Sequence, residues 1–323
     1  MAALRGQPVD RVPLAFWLHN FDTENSARGL ADETLRLGRT FDLDFLKPQS
    51  RAQCFAEMWG LTYAPSGEAA KPYTVTHAPV VDAEGLARLP VADPREGALG
   101  EQLEALRLIR AAVGPDVPII WTVFAPPMIL PMLTRGGRDQ ALGFLRDAPR
   151  ETARAFDVMA ETLGEYGRLC LAAGADGLFY ATNVATRALM SAEECRRWQR
   201  PWDLRILKSV EGAPFNLLHV CGAGIHFEEF ADYPVSALSF ATVAGNPTLA
   251  AAHGRTGRAV VGGLPAKPEI AGMTEAVLVD RAAAASREMS GRHLLLGPDC
   301  SINPDTPARL LHAVGAAVRG GAS

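Results

Sequence analysis

Eight short apolar runs punctuate this 323-residue chain, and most are followed by a segment long enough for a helix. They are Val12 to Trp17, Leu43 to Lys47, Pro118 to Phe124, Asp176 to Ala181, Phe215 to Val220, Ala237 to Ala241, Ala259 to Leu264 and His293 to Gly297. Short runs that are apolar throughout, rather than alternating, read as strands buried on both faces, which is the pattern of a parallel sheet. The segments between them carry helix-start signals. Ser191 with Glu194 three residues on opens a helix through Trp198 and Trp202, and Thr274-Glu275 opens another toward Met289. Strand and helix alternating eight times predicts an α/β protein, a single (β/α)8 TIM barrel over residues 1–323, with a doubly wound sheet as the weaker option.

Two stretches break the rhythm. Residues 54–94 hold Leu61-Thr62-Tyr63 and Tyr73-Thr74-Val75-Thr76-His77 among turn residues, and are predicted to be an insertion after the second strand with short hairpin strands. The segment from Ala125 to Pro149 follows the third strand and is expected to form a lid. Within Val117 to Thr134, the longest uncharged stretch, Pro118, Pro126, Pro127 and Pro131 would break a membrane-spanning helix. It reads as a strand running into a mobile, proline-stiffened loop. Gly262-Gly263 is expected to be a tight strand exit, its glycines serving backbone geometry rather than phosphate binding.

Composition removes several functions. A net charge of −4 leaves no basic footprint for nucleic acid and argues against an anionic membrane surface. Five cysteines in a long chain do not resemble a disulfide framework, so a reducing cytoplasm is expected. The first ten residues show no apolar core or cleavage pattern of a signal peptide.

The chemistry is carried by His219 and Cys221 in Leu218-His219-Val220-Cys221-Gly222, answered by Cys300 in Gly297-Pro298-Asp299-Cys300. One imidazole and two thiolates suit Zn²⁺, and three protein ligands are the number a catalytic zinc uses, its fourth position being left for substrate. His219 and Cys221 lie two apart at the end of a strand, so both project to one side. Cys300 stands just beyond the end of another strand. Strand exits are where α/β folds place their chemistry. A cysteine in an apolar run is also an ordinary small core residue, so each of the three, taken alone, is weak evidence.

The arrangement resembles the uroporphyrinogen decarboxylase superfamily, in particular its zinc-dependent, cobalamin-linked methyltransferase branch. The similarity rests on Pro8-Val9-Asp10-Arg11-Val12-Pro13, on the stretch Ala172 to Gly177, on Leu218 to Gly222 and on Leu296 to Pro307. It implies a TIM barrel with zinc on His219, Cys221 and Cys300. It also implies transfer of a methyl group between a corrinoid, free or on a partner protein, and a small-molecule thiol or other methyl carrier. His19, Asn20, Tyr180, Asn183 and Asp299, all near strand exits, are expected to face substrate. Cys54 is placed where it could also face the mouth, while Cys170 and Cys195 are expected to be packing residues on helices.

Departures from the decarboxylases are equally informative. Their arginine-rich propionate-binding segment is replaced by Phe16 to Asp22, and their Phe-Ser-Asp motif by Leu46-Lys47-Pro48-Gln49-Ser50. The mouth is therefore expected to offer few cations for a polycarboxylate. A metal-free decarboxylase and a non-catalytic protein with a structural zinc stand as the alternatives.

Overall fold

The structure, a computed structural model, describes residues 1–320. Its strands are β1 (Thr62–Ala64), β2 (Thr74–His77), β3 (Ile120–Phe124), β4 (Gly177–Thr182), β5 (Leu217–Val220), β6 (Ala237–Phe240), β7 (Ala259–Leu264) and β8 (Leu294–Pro298). The helices are α1 (Ala27–Phe41), α2 (Cys54–Glu57), α3 (Ala83–Ala87), α4 (Gly97–Val113), α5 (Pro126–Leu133) and α6 (Gly137–Asp147). They continue with α7 (Pro149–Ala172), α8 (Ala192–Trp198), α9 (Arg200–Lys208), α10 (Leu249–Thr256), α11 (Glu275–Glu288) and α12 (Ala308–Gly320).

Strands β3 to β8 form one parallel sheet in sequence order. Every residue of β3, β4, β5, β6 and β8 is buried, which is why these runs are apolar without alternation.

The first two apolar runs differ from expectation. Neither forms a ladder: Leu14 makes a single parallel bridge to Leu296 of β8, and Leu46 a single bridge to Ile119 beside β3. The cause is local. Pro13 has no N–H to give, and the Leu14 N–H donates to the Asp44 carboxylate at 2.9 Å instead of to a neighbouring strand. The Asp44 N–H in turn donates to the Leu14 carbonyl at 2.9 Å, so the two runs also hold each other.

In the stretch 54–94, β1 and β2 pair antiparallel, as the hairpin reading expects, and α2 and α3 flank them. The proline-rich segment is not a loop. Pro126 and Pro127 occupy the first helical positions of α5, where a missing N–H costs nothing, and Pro131 is carried inside the helix. Ile129, Leu130 and Leu133 bury the other face of α5, and Thr134 bridges back to Val80. Gly263 has φ +92, and a Cβ there would meet the Ala285 Cβ at 2.5 Å, so that glycine serves close packing of α11 on β7. Among the described residues no helix is long and apolar enough to cross a membrane.

Candidate metal centre

Register builds the site. In the parallel sheet Ala181 of β4, His219 of β5 and Ser239 of β6 stand side by side. Their side chains share a face, and Ser239 Oγ lies 3.1 Å from His219 Nδ1. With Nδ1–H donating to that hydroxyl, Nε2 keeps its lone pair. The imidazole is buried, is stacked at 5.1 Å on Phe179, and leaves Nε2 with no hydrogen-bond partner. Buried ring nitrogens are rarely left that way unless something absent from the protein itself binds them.

Cys221 leaves β5 with its N–H bonded to the Thr182 carbonyl at 2.8 Å, and Gly222, at φ +110, turns the chain away. Cys300 comes from β8, whose exit is pinned by the Asp299 N–H on the Leu264 carbonyl at 2.7 Å. The two sulfurs lie 3.5 Å apart. All three candidate ligand atoms fall within 4.8 Å of one another. Two soft sulfurs and an orphaned imidazole nitrogen are a donor set that fits Zn²⁺, and both cysteines keep some exposure while His219 has almost none. The thiols are unequal. The hydrogen bond from Cys221 holds the Cys300 thiol well below the ordinary thiol range, helped by His219 and the Ser301 N–H against the effect of burial. The same hydrogen bond, then burial, pushes Cys221 up.

The other expected residues divide. Asp299 is buried beside Cys300, and its Oδ2 accepts from the Thr242 N–H at 2.8 Å and hydroxyl at 3.0 Å, while Oδ1 has no partner. Burial, opposed by Thr242, raises its carboxyl to about 6. His19 Nδ1 bonds Glu24 at 2.9 Å, and its Nε2 lies 2.8 Å from the Gln49 amide nitrogen. The Asn20 carboxamide and carbonyl close a local turn onto Thr23. Asn183 is half-buried just past β4.

Tyr180 corrects the reading. It is fully buried and donates to Asp203 of α9 at 2.5 Å, on the opposite side of β4 from the site, because alternation puts Phe179 and Ala181 on the His219 side. Cys54 is likewise fully buried, in α2, where desolvation drives its thiol up, so it does not open on the mouth. Cys170 and Cys195 pack on α7 and α8 as expected.

Sequence reasoning missed Ser239 and a buried polar chain. Tyr73 donates to Glu24 at 2.8 Å, Glu24 accepts from His19, and Lys47 Nζ donates to Gln49 Oε1 at 2.5 Å. A lysine closing an apolar run just before a proline was the available signal. Lys47 is 6% exposed, and burial pushes its ammonium down to about 7 against the pull of Cys300 and Glu24. Three cations thus act on the thiols through space, Lys47 on Cys300, and Arg138 and Lys267 on Cys221.

Fold and site together define a parallel α/β protein with an imidazole–dithiol cluster at the carboxyl ends of its strands. The family model for uroporphyrinogen decarboxylase (URO-D) matches residues 1–320, and the chain belongs to that family. It is 26% identical over 226 residues to the methylcobamide:CoM methyltransferase MtaA of Methanosarcina barkeri, a match covering 67% of this chain and 62% of that protein. It is 30% identical over 253 residues to a uroporphyrinogen decarboxylase of Sorangium cellulosum, covering 74% of this chain and 69% of that one. A solved methyltransferase from Methanosarcina mazei has the same fold, with a TM-score of 0.85 at 22% identity over 100% of this chain and 97% of that one.

Proposed function

We propose that this protein is a zinc-dependent methyltransferase that moves a methyl group between a corrinoid, as free methylcobalamin or on a partner corrinoid protein, and a small-molecule thiol or related methyl carrier. The observation that carries the reading is the meeting of a His219 ring nitrogen, Cys221 Sγ and Cys300 Sγ within 4.8 Å. The similarity to MtaA, a methylcobamide:CoM methyltransferase, supports it. The reading takes the chain as one domain, residues 1–323, working in the cytoplasm. In it the Val12–Trp17 and Leu43–Lys47 segments close the sheet into a barrel, and 54–94 is an insertion.

When bound, Zn²⁺ would supply the deprotonation that turns a thiol into a nucleophile at neutral pH. The protein's own part is geometric. Ser239 holds the His219 ring in one tautomer with Nε2 forward, Phe179 fixes its plane, and Asp299 ties the Thr242 loop against the exit that presents Cys300. Substrate-facing roles for His19, Asn20, Asn183 and Asp299 belong to this reading as well. Three ligands without a fourth among the described residues favour an open site over a closed structural one.

The test is demethylation of methylcobalamin, followed by the corrinoid spectrum, by zinc-loaded protein with a broad thiol panel. Zinc-dependent loss of the methyl signal is expected. No change with any thiol, using either free methylcobalamin or a corrinoid protein, would end the reading. The Sorangium cellulosum relative favours a second reading, decarboxylation of a porphyrinogen. Lys47 stands in the segment that replaces the decarboxylases' Phe-Ser-Asp motif, so we expect no turnover when the porphyrinogen is supplied under anaerobic reducing conditions. Turnover near roughly 10 per second, the middle of the enzyme range, would reverse the choice.

A further inference from the structure

Of the five cysteines, Cys54, Cys170 and Cys195 are buried, and only Cys221 and Cys300 keep some exposure. Their sulfurs lie 3.5 Å apart, although the two residues leave different strands, β5 and β8. A thiol that solvent reaches can be oxidised, while one sealed in apolar packing is inert. An oxidant in solution therefore meets these two sulfurs together and no others.

The backbone lets them close the gap. A disulfide holds its sulfurs at about 2.05 Å, so one of the two must travel roughly 1.5 Å. Cys221 is the fixed member, its N–H donating to the Thr182 carbonyl at 2.8 Å. Cys300 is held through its neighbours, by the Asp299 N–H on the Leu264 carbonyl at 2.7 Å and the Ile302 N–H on the Trp17 carbonyl at 3.2 Å. Among the described residues it makes no backbone hydrogen bond of its own, so it can shift toward Cys221 without breaking a ladder.

We propose that Cys221 and Cys300 are a redox-active pair, which a hydroperoxide converts to an intramolecular disulfide and a dithiol restores. One thiolate attacks a peroxide oxygen: an S–O bond forms, the O–O bond breaks and hydroxide leaves. The other thiolate then attacks that sulfur, forming the S–S bond and breaking the S–O bond, and the two departing hydroxides take up the two thiol protons as water. Each sulfur gives up one electron, and the two peroxide oxygens are reduced. The bond rests on the observed geometry alone. Its consequence rests on the metal reading above, because sulfurs joined to each other are no longer the thiolates that hold zinc beside His219. The pair thereby switches metal binding off in oxidising surroundings and on again when reduced.

The experiment treats full-length protein, zinc-free and zinc-loaded, with equimolar hydrogen peroxide, counts free thiols after denaturation and maps the unreduced peptides by mass. The zinc-free protein should lose two of its five thiols and the mass of two hydrogen atoms, and should yield one linked peptide pair joining Cys221 to Cys300. Dithiothreitol should return all five thiols. The zinc-loaded protein should release its ion to a chromogenic chelator in step with the same bond. In Cys221→Ser the linked pair should vanish and Cys300 should instead carry a sulfenic acid that dimedone traps, and the wild-type map stands even if that variant fails to fold. Five surviving thiols, a bond between two chains, a link to Cys54, Cys170 or Cys195, or a sulfinic acid that dithiothreitol does not reverse overturns the proposal. A disulfide formed in a protein that never binds zinc would remove the metal reading and leave this one standing. Zinc bound by a protein whose thiols all survive peroxide would do the reverse.

Discussion

Ser239 Oγ lies 3.1 Å from His219 Nδ1, a contact made between neighbours in register on β6 and β5. A hydroxyl in that place orients the ring and keeps the other nitrogen available to a metal. Ser239→Ala should weaken zinc affinity by roughly 10- to 100-fold, the usual cost of losing such a supporting group, with little change in fold. Competition with a chromogenic chelator reads the affinity. A variant that holds zinc as tightly as the wild type would show that the hydroxyl does not position His219.

Cys300 is the ligand that sequence distance makes least obvious, and removing it is the sharpest test of the cluster. Protein expressed with ample metal should carry about one zinc per chain, the content of a three-ligand site, and Cys300→Ser should lose most of it. Elemental analysis decides. Equal and near-zero zinc in both proteins would remove the metal from the account.

Asp203 offers a test on the outer side of the sheet. It is fully buried and accepts from Tyr180 at 2.5 Å, from Gln199 at 2.9 and 2.8 Å, and from Tyr233 at 3.0 Å. Desolvation outweighs those donors and lifts its carboxyl from 3.8 to about 7. A raised folded value means that the native state binds the proton more tightly than the unfolded chain. This group's contribution is therefore full below the unfolded pKa and falls as pH rises toward the folded one. Between about pH 5 and 7 it should lower stability by at most ~1.4 kcal/mol per pH unit. Asp203→Asn cannot titrate, so the difference in melting behaviour between the two proteins should carry that slope. Parallel pH profiles would mean that Asp203 is ionised throughout.

Much of this was legible in the chain. Uniformly apolar runs marked the six strands of the parallel sheet, and period-two spacing placed His219 and Cys221 on one side of β5. The same rule, applied to β4, would have turned Tyr180 away, since its neighbours Phe179 and Ala181 are the ones beside the imidazole. The failure was one of parity. Other features depend on partners that no local pattern reveals. Leu14 loses its ladder because a carboxylate 30 positions away takes its N–H. Ser239 matters only through inter-strand register, and Glu24, which accepts from Tyr73 and His19, acts on the buried Lys47 across a gap of 23 positions that no local pattern bridges. Helix α5 survives because two of its prolines fall in the first turn, a matter of phase that composition does not encode.

The sulfurs of Cys221 and Cys300 meet at 3.5 Å although 79 positions separate them along the chain. The intervening stretch carries β6, β7 and β8 together with α10 and α11. An ion gripping both thiols would thus act as a clasp around a large loop, cutting the freedom of the denatured chain much as a cross-link does, by roughly 4 kcal/mol at most. Stripping the ion would loosen the whole C-terminal half of the sheet as well as silence a reaction, so shelf life and metal supply would rise and fall together.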